Sequence, residues 1–127
     1  MEIVCSTDSK YIMPTGIMLT SLFESNRGEV VNVHLLHDQD SAVLLDSIRT
    51  IAARYQQNIH FYLINDDIFK HFPVGLDFQV DHVGTSFATY YRLYLTEILP
   101  ADIDKVIYLD GDILVVDKLV KLWNTSV

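Results

Sequence analysis

The stretch Val106-Ile107-Tyr108-Leu109-Asp110-Gly111-Asp112-Ile113-Leu114-Val115 decides the fold class. An apolar run of strand length, Lys105 to Leu109, is cut by Asp-Gly-Asp and followed by a second apolar run, Ile113 to Val116. Short continuous apolar runs bounded by turn residues read as strands buried on both faces, the pattern of a parallel sheet. The spacing therefore predicts a strand over 105–109 and another over 113–116.

The same grammar recurs upstream. Glu2 to Cys5 is a strand that stops at Ser6-Thr7-Asp8-Ser9, and Val30 to Leu36 and Ile59 to Ile64 are two more. Between them, Met13, Ile17, Leu19, Leu22 and Phe23 form a helical stripe that tolerates Pro14 only in its first turn and stops near Asn26-Arg27-Gly28. A second helix, capped by Asp40 or Ser41, carries Val43, Leu44, Ile48, Ile51 and Ala52. Residues 66–81 read as a short helix and an irregular loop. A further helix is expected over 86–95, capped by Thr85 or Ser86 and ending before Pro100. Strands alternating with helices imply an α/β domain with a mostly parallel central sheet covered by helices on both faces, Rossmann-like in layout. No repeat, low-complexity tract or linker divides residues 1–127.

Composition narrows the partners. The chain has 127 residues, half of them hydrophobic, and a net charge of -8. It can bury one core, and a broad basic face for nucleic acid or anionic lipid is excluded. An anionic ligand would need local help from a metal ion, a few cations or helix N-termini. Cys5 stands alone inside an apolar strand, so it reads as a buried thiol in a reducing compartment. Asp8 and Lys10 interrupt any secretory leader after Met1, and no apolar run spans a bilayer. The expectation is a cytoplasmic protein that reaches a membrane only through a missing C-terminal segment.

In open sheets of this kind ligands sit beyond the carboxyl ends of the strands. Two polar clusters fall there, Ser6 to Lys10 and Asp110 to Asp112, and they line one crevice if their strands are neighbours. Residues i and i+2 of an extended chain lie on one side, with Cβ atoms roughly 6 to 7 Å apart. Asp110 and Asp112 can thus converge on one hard divalent cation and leave positions open for phosphate. Gly111 removes a side chain and would let a bulky ligand approach the backbone. Spacing alone leaves open a solvated Asp-Gly hairpin turn.

The wider context resembles glycosyltransferase family 8, which includes bacterial lipopolysaccharide galactosyl- and glucosyltransferases and glycogenins. Val106 to Val115 resembles that family's DxD segment. Ile3-Val4-Cys5-Ser6-Thr7-Asp8-Ser9-Lys10-Tyr11 resembles its first strand and nucleotide loop. Ala88-Thr89-Tyr90-Tyr91-Arg92-Leu93 resembles its Tyr-x-Arg-Leu helix, and Asp117 to Asn124 resembles the segment after the DxD strand. The order of the four motifs is that of the family, and together they cover nearly the whole chain.

The resemblance implies a GT-A fold and transfer of a hexose from UDP-glucose or UDP-galactose, with retention, to a saccharide acceptor such as lipopolysaccharide or another cell-surface glycan. It implies Asp110 and Asp112 as ligands of Mn²⁺ or Mg²⁺ bridging the diphosphate, with Arg92 and Asp110 as the catalytic pair. It implies that Asp8 accepts a hydrogen bond from uracil, that Tyr11 stacks on the base, and that the backbone of Ser6 and Thr7 completes the pocket. The backbone near Gly111 would lie by the ribose. Lys10, where the family often has Asn, would touch a phosphate or stay solvated. Arg92 would reach the donor sugar and the carboxylates, its alternative being a guanidinium on a helix surface. His82 falls where the family faces its acceptor.

The family's domain is about twice as long, and its later part brings a His-x-Gly motif with a third metal ligand and a Lys-Pro-Trp continuation. His82-Val83-Gly84 precedes the DxD and lacks that continuation. The expectation is therefore the donor-binding N-terminal half, weak in UDP binding, nearly inactive in transfer and prone to self-association through an exposed edge. Three rival readings share parts of the pattern: a non-catalytic nucleotide-binding module, a haloacid-dehalogenase-like phosphatase with Asp110 as nucleophile, and a response-regulator receiver.

Overall fold

The computed structural model describes residues 1–38, 40–65 and 87–127. Its elements are β1 (Glu2–Thr7), α1 (Ile12–Ser25), β2 (Asn32–His37), a 3-10 turn (Ala42–Leu44), α2 (Leu45–Arg54) and β3 (Asn58–Leu63). After the undescribed stretch come a 3-10 helix (Phe87–Tyr94), α3 (Leu95–Ile98), β4 (Ile107–Tyr108) and α4 (Val120–Trp123). The strands form one parallel sheet in the order β3-β2-β1-β4. Among the described residues no helix is long and apolar enough to cross a membrane.

Strand alternation explains the layers. On one face Ile3, Cys5, Val33 and Leu35 pack with Met18, Leu19, Leu22 and Phe23 of α1 and Ile48 and Ala52 of α2. On the other face Val4, Leu36 and Ile64 pack with Tyr91, Leu95, Ile98 and Leu99. Helices thus cover both faces, and β1, flanked by strands on both edges, has four of its six residues buried. β3 forms one edge and has none.

Several local expectations hold, with shifted boundaries. Pro14 is the third residue of α1, where its missing N–H costs no intrahelical bond. α1 stops at Ser25, and Gly28 takes a φ of 86°, a left-handed turn that returns the chain to β2. Ser41 stands at the N-cap position of the second helical segment, as expected, but its side chain makes no cap bond; its amide donates to Asp38 Oδ1 at 2.8 Å, and the segment opens as a 3-10 turn. The helix expected over 86–95 begins as the 3-10 helix and becomes α-helical only at Leu95.

Residues 113–116 form no strand. Of this apolar run only Val115 is buried, while Ile113, Leu114 and Val116 are exposed. Their backbone partner is different: Val115 N–H donates to Ser21 Oγ at 3.0 Å and Val115 O accepts from Ser25 Oγ at 2.8 Å. Serine hydroxyls of α1 replace a sheet ladder. The chain then continues past Asn26, whose buried side chain accepts the Leu119 amide at 2.9 Å and donates to Leu22 O at 2.9 Å. The helix and loop expected over 66–81, His82 and the caps Thr85 and Ser86 lie outside the described residues.

Candidate functional site

β1 and β4 are neighbours, with Ile3 opposite Ile107 and Val4 opposite Tyr108. The contact extends one residue further, as the Leu109 amide donates to Val4 O at 2.8 Å. The two polar clusters consequently emerge side by side at the carboxyl end of the sheet. They adjoin there, as strand polarity predicts, with Gly111 packed against Ser6 O and Thr15.

At the end of β1, Asp8 is buried and its Oδ1 accepts the amides of Lys10 at 2.9 Å and Tyr11 at 3.0 Å. This Asx-type turn starts α1 and locks the loop. Oδ2 takes no hydrogen bond among the described residues. Thr7 Oγ1 accepts from Thr15 Oγ1 at 3.0 Å and donates to Asp8 O at 3.2 Å. Lys10 and Tyr11 are both exposed.

At the end of β4, Asp110 and Asp112 are exposed. Gly111 faces the protein on the side where a Cβ would stand, because that carbon would lie 2.6 Å from Thr15 Oγ1 and 3.3 Å from Ser6 O. Glycine is needed here for the turn to dock on α1 and the nucleotide-type loop, a reason different from the ligand approach expected from the sequence.

Arg92 arrives from the 3-10 helix over the other face of the sheet. Its Nη2 lies 3.5 Å from Asp110 Oδ1, and its guanidinium carbon sits 5.0 Å from the centre of the Tyr108 ring. Both charged side chains are about half exposed, so the pair by itself contributes about 0–1 kcal/mol. Tyr108 OH and Ser6 Oγ are 2.7 Å apart, with either as donor. Burial pushes the Tyr108 phenol above its ordinary range, partly offset by Ser6 and Arg92, so it stays neutral.

Ser6, Thr7, Asp8, Lys10, Tyr11, Arg92, Asp110, Gly111 and Asp112 thus fall at one end of the sheet, while His82 lies outside the described residues. Two others were missed. Tyr108 stands two residues before Asp110, on the same side of an extended chain, so the alternation itself was the signal. Thr15 carried none, since only the packing of α1 brings it under Gly111.

The donor set suits a hard divalent ion, with two exposed carboxylates two residues apart and one Asp110 oxygen shared with Arg92. Among the described residues no group of three or more His, Cys, Asp or Glu could hold a metal. The pair would therefore supply part of a coordination shell and leave the remainder to phosphate oxygens and water.

The family model for glycosyl transferase family 8 matches residues 2–127. The chain belongs to this family. The family 8 assignment removes support from the phosphatase and receiver readings. A putative glycosyltransferase of Haemophilus influenzae is 28% identical over the whole chain, which covers 36% of that protein. A lipopolysaccharide 1,2-glucosyltransferase of Escherichia coli is 27% identical over 84% of the chain, covering 29% of the relative. The crystal structure of galactosyltransferase LgtC, in complex with donor and acceptor sugar analogues, superposes with a TM-score of 0.76 at 32% identity. That match takes in 99% of this chain and 43% of LgtC. The four-stranded parallel sheet is thus the GT-A arrangement, and the chain spans about a third of the length of the curated relatives it matches.

Proposed function

We propose that residues 1–127 form the donor-binding part of a retaining hexosyltransferase that takes its sugar from a UDP-hexose and delivers it to a saccharide acceptor. The observation that carries this reading is the juxtaposition of the Asp110-Gly111-Asp112 turn and the Ser6–Tyr11 loop at the carboxyl ends of adjacent parallel strands. Lipopolysaccharide or a related cell-surface glycan is the acceptor class we favour, by analogy with the Escherichia coli relative.

In this reading Asp110 and Asp112 hold Mn²⁺ or Mg²⁺ against the diphosphate. The ion, when bound, neutralises charge growing on the departing UDP. The chain's own residues do the rest. Asp8 offers its second carboxylate oxygen to the uracil while the first keeps the loop closed. Tyr11, exposed at the start of α1, gives the base a face to stack on. The amides and carbonyls of Ser6 and Thr7 complete the pocket, and Lys10 screens phosphate. Arg92 orients Asp110 and contacts the donor sugar, a task suited to a fixed, always charged fork.

Calorimetric titration of the chain with UDP and a UDP-hexose, with and without Mn²⁺, tests the proposal. Binding that strengthens with metal is expected, and Asp110→Asn or Asp112→Asn should remove the metal-dependent part while leaving the thermal midpoint nearly unchanged. Nucleotide binding indifferent to metal and to both substitutions would refute it. Transfer by the isolated chain should be slow, because the groups that position an acceptor hydroxyl supply much of such a rate.

A further inference from the structure

We infer that Tyr108 is a positioning residue for Arg92, and through it for the hexose end of the donor; the inference rests on the donor-binding reading above. Three contacts meet on this one side chain. Its ring lies under the Arg92 guanidinium at 5.0 Å, its hydroxyl is 2.7 Å from Ser6 Oγ, and its backbone register against Val4 pins it within the sheet.

The half-exposed pair with Asp110 at 3.5 Å does little by itself to fix the tilt of so long a side chain. An aromatic face beneath it restricts the fork through its π cloud and itself takes up none of the N–H donors. The Ser6 contact fixes the tilt of that face relative to the loop at the end of β1. Because residues 108 and 110 share one side of the chain, Tyr108 and Asp110 bracket the same guanidinium. Tyr108 touches neither metal nor reacting atoms in this scheme. It acts through Arg92.

The test compares Tyr108→Phe, which keeps the ring, with Tyr108→Leu, which removes it. In the free chain, the Arg92 Nε–H proton resonance, assigned by its loss in Arg92→Lys, should carry an upfield ring-current shift that survives in the Phe variant and vanishes in the Leu variant. With Mn²⁺ present, the Leu variant should bind UDP-hexose roughly threefold to tenfold more weakly while its affinity for UDP changes less than about twofold. Equal losses for UDP and UDP-hexose would mark Tyr108 as merely structural and overturn the inference, as would an unchanged Arg92 resonance in the Leu variant. A wild-type chain that binds neither nucleotide sinks the donor-binding reading. The exchange rate of the Arg92 Nε–H with water then decides positioning, faster exchange in the Leu variant than in wild type supporting it and an equal rate overturning it. If Tyr108→Leu does not fold, Phe against pentafluorophenylalanine at position 108 makes the same comparison with an isosteric ring of weakened π face.

Discussion

Gly111→Ala is expected to destabilise the chain by forcing the acidic turn off its seat. The new carbon would stand 2.6 Å from Thr15 Oγ1 and 3.3 Å from Ser6 O, and the second of these is backbone that cannot rotate away. Thr15 is fully buried and its hydroxyl donates to Thr7 Oγ1 at 3.0 Å. If Thr15 rotates, that bond is lost and a buried hydroxyl is orphaned, at a cost of about 1–3 kcal/mol. If instead the turn moves, overpacking costs a similar 1–3 kcal/mol or so. Taking about 2 kcal/mol, a domain of this size should lose roughly 6 to 12 °C in Tm, measurable by circular dichroism. The partner is identified by a double-mutant cycle with Thr15→Ala, whose remaining Cβ would sit 3.7 Å from the new carbon, an ordinary contact. In that background Gly111→Ala should cost less than about 1 kcal/mol. A Tm within about 2 °C of wild type, or strictly additive effects in the cycle, would refute the packing argument.

Three further outcomes follow from other parts of the molecule. For Glu2, burial opposes ionisation, but hydrogen bonds from Asn32 and His34 outweigh it and hold the carboxyl below its ordinary 4.5. Its stabilisation is therefore complete above that value and fades as pH falls through the depressed one. Glu2→Gln should flatten the acid limb of the stability profile, and an unchanged limb in urea titrations would sink this account. Burial pushes the Cys5 thiol up to about 12, so a thiol reagent at about pH 8 should label the native chain only as fast as it unfolds; prompt labelling would contradict the burial. Asn26→Ala leaves the Leu119 amide without its acceptor and should cost about 2–3 kcal/mol, read as a lower urea midpoint at unchanged slope; an unmoved midpoint would show that water replaces the side chain.

What the sequence determined by itself is local. The alternation of apolar runs and helical stripes was enough for a parallel α/β sheet, because facing and period are written into neighbouring residues. Polar clusters closing two strands were enough to place the candidate site, because strand polarity puts loops of one kind at one end. The four motifs around Asp110 and Asp112 were enough for the family.

Tertiary structure decided every partner. Residues 113–116 carry the apolar run of a buried strand, yet the Val115 backbone binds Ser21 and Ser25, since an apolar run does not specify which element will pair with it. Gly111 looked like space for a ligand, and only the approach of α1 showed that Thr15 fills the side where a Cβ would stand. Tyr108 meets Ser6 and Arg92 because β4 pairs with β1 and the 3-10 helix crosses the face they share. Such contacts join residues far apart in the chain, and no short-range pattern encodes a meeting that folding alone brings about.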